Sequence, residues 1–391
     1  MATDQGLTAN WNYPTNIRFG VGRIAELAEA CLSLGMSRPL LVTDPGLARL
    51  PMISAALAGN RDAELDTGLF SDIKPNPNGD NIAAGVEAYR HGGHDGVIAF
   101  GGGSALDAGK AVAFMAGQSR TIWDFEDLGD NWQRADADAI APVVAVPTTA
   151  GTGSEVGRAA VIVDQCRRRK IILFHPGMLP GTVIADPALC TALPPKLTAA
   201  TGMDALSHCI EAYCAPLYHP MADGIALEGV RLIGRWLIVA FEEPGNLTAR
   251  SHMLAASAMG ATAFQKGLGA MHALAHPLGA LYDVHHGLLN AVLMPYVLAF
   301  NRVAIAEKMR CVADALALGP AGFDAVLDFV LDLRARLGIP NDLGFIGIDE
   351  TVIPRIAEMA TRDPSAVGNP VTLTTPEYAV LLRNAVNGVL G

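Results

Sequence analysis

Residues 96–110 read Gly-Val-Ile-Ala-Phe-Gly-Gly-Gly-Ser-Ala-Leu-Asp-Ala-Gly-Lys, and they indicate the fold of the first half of the chain. An apolar run of strand character leads into three glycines, and a stretch of helical character that Ser104 opens follows them. Glycines let the backbone approach a phosphate closely, and the N–H groups and dipole at a helix N-terminus bind anions. The sequence therefore predicts a strand, an anion-binding loop and a helix.

This loop matches neither of two better-known glycine motifs. Leu106 stands where the third glycine of GxGxxG belongs, and Ala111 follows Lys110 where a P-loop has Ser or Thr. Ser104 and Asp107 have the spacing of a capping box, which gives both residues a structural role without any ligand. A tight structural turn is the alternative explanation of the motif.

Short β-branched runs alternate with helical stretches between about residues 17 and 186. Several of these runs are apolar throughout, as strands are when helices cover both faces of a parallel sheet. We therefore predict a Rossmann-like α/β dinucleotide-binding domain over residues 1–189, with a largely parallel sheet. Its predicted strands include residues 39–42, 96–100, 143–146, 170–173 and 182–185.

The second half of the chain has a different character. After Pro194 and Pro195 the sequence shows helical periodicity and few strand signals. At 391 residues the chain also exceeds the size at which one hydrophobic core usually stops growing, so two domains are expected. We predict an all-α domain over residues 190–391, with helical stretches at residues 197–213, 221–240, 248–264 and 321–337.

The charge of the chain argues against nucleic acid as a partner. Lys and Arg total 28 against 39 Asp and Glu, which gives a formal net charge of −11. An acidic protein repels a phosphate backbone unless its positive charge is concentrated in one place. The one basic run, Arg167 to Lys170, is expected to be a solvated turn, although Lys170 opens an apolar strand.

Three features predict a cytoplasmic protein without a membrane partner. The six cysteines contain no CxxC pair, as suits reduced thiols in the cytosol. Residues 1–10 lack the basic and then apolar pattern of a signal peptide. We also find no apolar stretch of the length, about 20 residues, that a helix needs to cross a bilayer.

Two further features support a dinucleotide. Asp44 follows a predicted strand, where a carboxylate can accept both hydroxyls of an adenosine ribose; it would repel a 2′-phosphate, which favours NAD over NADP. The loop Pro147-Thr148-Thr149-Ala150-Gly151-Thr152-Gly153-Ser154 offers hydroxyl donors with little steric bulk. Both features are also typical of ordinary turns.

Histidines in the helical half predict a metal site. Asp204 and His208 are four residues apart in a helical stretch, so their side chains share one face, and His272 and His276 repeat that spacing. His286 precedes Gly287, where a loop could turn it back toward the first pair. Three imidazoles and one carboxylate suit Fe(II) or Zn(II) with an open position, and ligand type alone does not separate these metals.

Taken together, these motifs resemble the iron-containing alcohol dehydrogenase family, which has a dehydroquinate-synthase-like architecture. The resemblance extends over most of the chain and is specific in order and spacing. It rests on Pro75-Asn76-Pro77, Gly101-Gly102-Gly103-Ser104-x-x-Asp107-x-x-Lys110, Pro147 through Glu155, Gly202-Met203-Asp204-Ala205-Leu206-Ser207-His208, and His272-x-x-x-His276-Pro277-Leu278-Gly279 through His286-Gly287.

The resemblance implies an oxidoreductase that transfers hydride between NAD(H) and a small primary alcohol or aldehyde, with Fe(II) favoured over Zn(II). It implies that the metal polarises the substrate oxygen, and that the protein is a homodimer or larger. His276 is implied to lie beside the nicotinamide and is our candidate for proton relay. The implied metal ligands are Asp204, His208, His272 and His286, and the implied cofactor-side residues are Asp44, Asn76, Gly102, Gly103, Ser104, Asp107, Thr148, Thr149, Thr152 and Lys170.

The chain departs from the family pattern in places that affect cofactor and substrate. Gly157 and Ala159 stand where many relatives carry Thr and Phe, so two cofactor contacts are in doubt. The segment around His219 also differs from the expected Asn-Pro. Three other activities remain open: a hydroxyacid dehydrogenase acting on a compound such as 4-hydroxybutyrate, a metal-free reductase similar to maleylacetate reductase, and a lyase similar to dehydroquinate synthase.

Overall fold

The structure is a computed structural model, and it describes residue 13 and residues 15–320, 322–348 and 350–390. The stretch 1–10, on which the prediction about a signal peptide rests, lies outside the described residues. The chain divides into two compact units, of which one is Pro14–Ala192 and the other contains Leu193–Gly391.

Within the described residues, the first unit contains eight strands and four α-helices. The strands are β1 (Asn16–Phe19), β2 (Pro39–Val42), β3 (Gly68–Phe70), β4 (Gly96–Gly101), β5 (Val143–Pro147), β6 (Ala159–Asp164), β7 (Arg169–Phe174) and β8 (Thr182–Ala185). The helices are α1 (Leu27–Ser33), α2 (Pro51–Asp62), α3 (Gly79–His91) and α4 (Gly103–Met115).

Six of these strands form one sheet in the order β1-β8-β5-β4-β2-β3. All of the pairs in this sheet are parallel, which confirms the predicted fold class. Strands β2, β4, β5 and β8 are buried along their whole length, as the continuous apolar runs in the sequence require. Buried side chains such as Leu41, Ile98, Phe100 and Ile184 form the core on one face of this sheet.

One predicted strand belongs elsewhere. We expected residues 170–173 to join the parallel sheet, but β7 pairs antiparallel with β6, and the two form a separate two-stranded sheet. The turn between them contains Arg168 in the left-handed region, at a φ of 51°. Only a short turn joins β6 to β7, and adjacent strands joined in this way pair as a hairpin, whereas a parallel pair needs a long crossover.

The second unit is helical, as predicted. Its helices are α5 (Pro195–Cys214), α6 (Pro220–Glu242), α7 (Leu247–Ala263), α8 (Ala270–Tyr282), α9 (His286–Ala315), α10 (Phe323–Arg336), α11 (Ile353–Thr361) and α12 (Thr375–Asn387). Helices α5 and α6 contain the stretches predicted at residues 197–213 and 221–240. Helices α7 and α10 account for the other two stretches except at their ends: α7 ends before residue 264, α10 leaves out residues 322 and 337, and residue 321 lies outside the described residues.

The expectation that no apolar stretch is long enough to cross a bilayer is wrong for helix α9. It has 30 residues and is, among the described residues, the one helix long and apolar enough to cross a membrane by length and composition. Its most apolar stretch is 67% buried inside the protein, however, and the core helix of a soluble protein passes the same test. Burial therefore explains the apolar composition of α9.

Candidate metal centre and dinucleotide loops

Helix α5 presents two acidic or imidazole side chains on one buried face. Pro195 begins the helix at a position that needs no backbone N–H donor, and helical periodicity then places Asp204 and His208 one turn apart. Asp204 is 2% exposed and His208 is 4% exposed. Such burial costs a charged carboxylate several kcal/mol unless it is paired or binds a metal.

Helices α8 and α9 bring the other two candidate ligands to this face. His272 lies in the first turn of α8, and Asp283, at a φ of 52°, ends that helix in the left-handed region. His286 is the first residue of α9. The ring of His272 stacks on that of His208 with a centroid distance of 4.8 Å, and it lies 5.1 Å from that of His286.

The four side chains converge on a single point. Asp204, His208, His272 and His286 each offer one ligand atom, and these atoms all lie within 4.8 Å of one another. A carboxylate oxygen and imidazole nitrogens are donors that Fe(II) and Zn(II) both accept. The donor set therefore fits a divalent transition metal.

Asn290, one turn after His286 on α9, marks the same point independently. Its Nδ2 lies 2.8 Å from Asp204 Oδ1, 3.1 Å from His272 Nε2 and 3.2 Å from His286 Nε2. The three atoms that it contacts, a carboxylate oxygen and two imidazole nitrogens, are of the types that can donate a lone pair to a metal. The buried Oδ1 of Asn290 has no hydrogen-bond partner among the described residues.

Carboxylates hold two of the histidines through Nδ1. Glu211 Oε2 lies 2.6 Å from His272 Nδ1, and Asp363 Oδ2 lies 2.9 Å from His276 Nδ1. Burial opposes protonation of His272, but Glu211 and Asp204 outweigh it and raise the pKa of that imidazole. The pKa of the Asp363 carboxyl is lowered overall. Burial alone would raise this pKa, but His276 and hydrogen bonds from Ser365 have the larger, opposite effect.

His276 itself lies next to the candidate ligands. It is one turn after His272 on α8, and its ring stacks on that of His286 at a centroid distance of 5.3 Å and an interplanar angle of 13°. If Nδ1 carries the proton that Asp363 accepts, Nε2 remains for proton exchange.

In the first unit, three predicted cofactor segments meet at the carboxyl edge of the sheet. Strands β2, β4 and β5 are neighbours in the sheet. Asp44 follows β2, the three glycines at residues 101–103 (the glycine loop) lie at the end of β4, and residues 147–154 (the threonine loop) lie at the end of β5. Thr148 N donates to Gly101 O at 2.9 Å, which joins two of the loops. Ligands of open α/β sheets bind outside this edge.

The glycine loop needs glycines because the threonine loop lies too close to leave room for side chains. Gly101 has a φ of 148°, a backbone conformation that residues other than glycine rarely adopt. A Cβ at Gly102 would lie 3.2 Å from Thr149 Cγ2, and one at Gly103 would lie 2.6 Å from Thr152 Cγ2. The threonine loop therefore packs directly on the glycine loop.

The expected capping box of Ser104 and Asp107 is wrong. Helix α4 begins at Gly103, and its N-cap is Gly102, which has no side chain to cap it. Ser104 Oγ donates to Pro75 O, so it ties the glycine loop to the segment that contains Asn76. Asp107 instead accepts hydrogen bonds from Ser154 Oγ and, at 3.0 Å, from Val161 N.

Two other predicted cofactor residues have defined surroundings. Asp44 Oδ1 accepts hydrogen bonds from Gly46 N and Leu47 N at 2.9 and 3.0 Å, which is the turn role that the sequence left open. Lys170 lies on β7, opposite Val163, and thus outside the six-stranded sheet. The cofactor roles of Asp44, Lys170 and the other predicted residues stay predictions.

Sequence reasoning missed Glu211, Asn290 and Asp363. The first two carried a signal, because Glu211 is seven residues after Asp204, and Asn290 is four residues after His286, so each shares a helix face with a candidate ligand. Asp363 has no such signal, since it lies 87 residues after His276 in the sequence.

A buried carboxyl near the threonine loop predicts a pH-dependent stability. Glu155 is 2% exposed, and burial raises its pKa from 4.5 to about 7, although Lys110 opposes the shift. A raised folded-state pKa stabilises the protein below the unfolded value and loses that contribution as the pH rises through about 7. We expect E155Q to match the wild type near pH 4, below the unfolded pKa, and to exceed its free energy of unfolding at pH 8 by up to about 3 kcal/mol, at about 1.36 kcal/mol per pKa unit.

Urea unfolding of both proteins at the two pH values measures this difference. The exposed Glu87 on α3 gives a matched control, because E87Q removes the same charge without changing a buried group. Equal pH dependence of E155Q and the wild type would contradict the prediction.

Comparisons with known proteins match both halves of the chain. A family model described as iron-containing alcohol dehydrogenase matches residues 14–187. A second model, described as the C-terminal part of the Fe-containing alcohol dehydrogenase family, matches residues 198–386. The 4-hydroxybutyrate dehydrogenase of Cupriavidus necator is 37% identical over 384 residues, which cover 96% of this chain and 99% of that protein.

Solved structures give the same result. The crystal structure of a 1,3-propanediol oxidoreductase superimposes with a TM-score of 0.90 at 35% identity, covering 97% of this chain and 100% of that one. A sulfoacetaldehyde reductase from Bifidobacterium kashiwanohense, solved in complex with NAD+, superimposes with a TM-score of 0.87 at 29% identity, covering 97% of this chain and 99% of that one.

Proposed function

The chain belongs to the iron-containing alcohol dehydrogenase family, and we propose on that premise that it interconverts a small primary alcohol and its aldehyde with NAD(H) at a metal centre formed by Asp204, His208, His272 and His286. Members of this family are NAD-dependent oxidoreductases of alcohols, so the chain is an enzyme of this class. The observation that carries the proposed centre is the convergence of four ligand atoms from three helices to within 4.8 Å of one another.

The donor set supports a divalent cation at this centre. When bound, such a cation supplies Lewis-acid polarisation of an oxygen, which is worth several kcal/mol of charge stabilisation. The family description supports iron, and the same ligands fit zinc. Asp204 supplies one negative charge, while His208, His272 and His286 must present neutral nitrogens, so metal binding requires these imidazoles to release their protons.

His276 and Asp363 support the proton step of the reaction. When the Nδ1–H group of His276 is hydrogen-bonded to Asp363, Nε2 is free of a proton. His276 can then accept a proton at Nε2 when an alcohol is oxidised and return it when an aldehyde is reduced. Asp363 fixes the ring orientation and stabilises the imidazolium that forms. We therefore propose His276 as the proton carrier and Asp363 as its positioning residue.

The loops at the carboxyl edge of the sheet support the NAD site. The glycine loop at the start of α4 offers backbone N–H groups and the positive end of the helix dipole to the phosphates. Thr148, Thr149 and Thr152 line the adjacent loop with hydroxyl groups. We propose that these residues, with Asp44, Asn76 and Lys170, contact the cofactor.

A hydroxyacid is the second candidate substrate. The relative from Cupriavidus necator is a 4-hydroxybutyrate dehydrogenase, whereas the similar solved structure is a 1,3-propanediol oxidoreductase. Both compounds are short chains with a primary hydroxyl group, and they differ in the charge at the far end. We propose the uncharged alcohol or aldehyde as the preferred substrate.

Metal analysis combined with an activity screen tests this function. We expect protein purified without chelator to contain about one iron or zinc per chain, and to oxidise NADH fastest with short aldehydes rather than with oxoacids such as succinic semialdehyde. Exhaustive chelation should remove the activity, and added Fe(II) or Zn(II) should restore it. Full activity after chelation would contradict the metal centre, and faster turnover of oxoacids would favour the second candidate.

Three further properties complete the proposal. A domain boundary near residue 190 is supported by the division between Pro14–Ala192 and Leu193–Gly391 and by the two family models. A cytoplasmic location is supported by the cysteines, which form no disulfide in the part of the chain that the structure describes. Assembly as a homodimer or larger is supported by the family resemblance alone.

A further inference from the structure

Glu211 lies on the same face of α5 as two of the candidate metal ligands. It follows Asp204 by seven residues and His208 by three, so the three side chains share one stripe of the helix. Its side chain is 4% exposed. A buried carboxylate is costly unless its oxygens accept hydrogen bonds, and the position of Glu211 therefore requires an explanation.

Both oxygens of Glu211 are used at the start of α8. Oε2 lies 2.6 Å from His272 Nδ1, and Oε1 accepts a hydrogen bond from Met271 N at 2.8 Å. The N-cap of α8 is Gly269, which has no side chain to satisfy the first N–H groups of the helix. Glu211 thus anchors the helix end and the imidazole with the same carboxylate.

The contact with Nδ1 determines which nitrogen of His272 can bind a metal. An ionised carboxylate only accepts hydrogen bonds, so the proton of the imidazole lies on Nδ1 and Nε2 carries a lone pair. Nε2 lies 3.1 Å from Asn290 Nδ2, the atom that also contacts Asp204 and His286. The lone pair of His272 is therefore directed at the point where the other candidate ligands meet.

Glu211 also changes the charge of the centre. The four candidate ligands carry one negative charge, from Asp204, and Glu211 adds a second one that is equally buried. Two negative charges balance one divalent cation, which reduces the cost of holding the ion in a medium of low dielectric constant.

We propose that Glu211 is a positioning residue of the metal centre, which holds His272 in the tautomer that binds metal through Nε2 and balances the charge of a divalent cation. This inference rests on the proposed function, because it assumes that His272 is a ligand. It adds a residue that does not itself touch the metal but on which the affinity for metal depends.

The substitution E211Q tests the role with almost no change in shape. Met271 N can only donate, so the single amide oxygen of Gln faces it and the NH2 group faces His272. The imidazole must then accept at Nδ1 and carry its proton on Nε2, the atom directed at the other ligands. Loss of such an outer contact typically lowers metal affinity about 10- to 100-fold.

The experiment titrates metal-free protein with Zn(II) against a competing chromophoric chelator, and with Co(II) by its visible spectrum. We expect E211Q to bind both ions about 10- to 100-fold more weakly than the wild type and to show an altered Co(II) spectrum. The control is E228Q, which removes the same charge from a half-exposed position on α6 and should bind as the wild type does. Affinities of E211Q within about threefold of the wild type, or equal losses in both variants, would overturn the role.

A second measurement keeps the inference testable if E211Q does not fold. In zinc-loaded wild-type protein labelled with 15N-histidine, His272 is identified by the signals that H272A lacks. We expect a protonated Nδ1 and a ligated Nε2, and ligation through Nδ1 would overturn the role. If the wild type binds no zinc that depends on His272, the proposed metal centre itself fails, whereas normal zinc binding with unchanged E211Q affinity refutes only the role of Glu211.

Discussion

Replacement of His272 by Ala is expected to remove most of the activity and to weaken metal binding strongly. A structural zinc site of four ligands is worth about 10–16 kcal/mol, so one ligand is worth roughly 3 kcal/mol, or about 100-fold in affinity. Loss of several kcal/mol of Lewis-acid stabilisation corresponds to about a 10³- to 10⁴-fold lower kcat/KM, at about 1.36 kcal/mol per factor of ten. Steady-state NADH oxidation and metal content per chain measure the two effects.

His252 provides the matched control for this variant. It lies on α7, where its ring stacks on Trp236 at 4.7 Å, and it does not belong to the ligand cluster. We expect H252A to keep its metal and its turnover. H272A also leaves the Glu211 carboxylate with Met271 N as its one hydrogen-bond partner among the described residues, which should lower the free energy of unfolding by about 1–3 kcal/mol. Wild-type turnover in folded H272A would refute the metal centre.

Replacement of Gly287 by Ala is expected to disrupt the centre although it replaces none of the four candidate ligands. A Cβ at this position would lie 2.3 Å from Ala200 O and 3.0 Å from Asp204 Cβ. The atom that the new methyl group would meet belongs to the backbone of α5, which cannot move aside as the end of a flexible side chain can. The first turn of α9 must therefore move, and His286 moves with it. We expect a stability loss of about 1–3 kcal/mol from overpacking and about a 100-fold loss in kcat from misplacement by about 1 Å.

Gly224 on α6 separates this effect from a general effect of alanine. A Cβ at Gly224 would meet nothing within 4 Å, and the residue is exposed. G224A should therefore retain full activity and gain up to about 1 kcal/mol in stability from helix propensity. Kinetics, thermal unfolding and zinc affinity of the two variants compare them directly. If G287A binds zinc as tightly as G224A does, the close contact between α9 and α5 does not control the position of His286.

The fold could be predicted from the sequence because its signals are local. Continuous apolar runs indicate strands that are buried on both faces, and helical periodicity indicates the helices of the second half, wherever those segments finally pack. The strand at 170–173 shows the limit of this reasoning. Its composition predicts a strand correctly, but which partner it pairs with depends on the short turn before it.

The candidate site could be predicted only in part. The spacing of Asp204 and His208 is fixed by the geometry of one helix, so their shared face follows from the sequence. Ser104 and Asp107 also had a local pattern, yet longer-range contacts with Pro75 and Ser154 replaced the capping box. A capping box is worth about 1 kcal/mol, so better hydrogen bonds elsewhere can override it.

The sequence by itself determined the two classes of structure along the chain, the family to which it belongs, and the helical spacing of the candidate ligands on α5. The tertiary structure alone decided that α8 and α9 bring His272 and His286 to that face, and that Glu211 and Asp363 lie within hydrogen-bond distance of His272 and His276. The physical reason is that periodicity fixes where a side chain leaves its own helix, whereas contacts between distant segments depend on how whole helices pack.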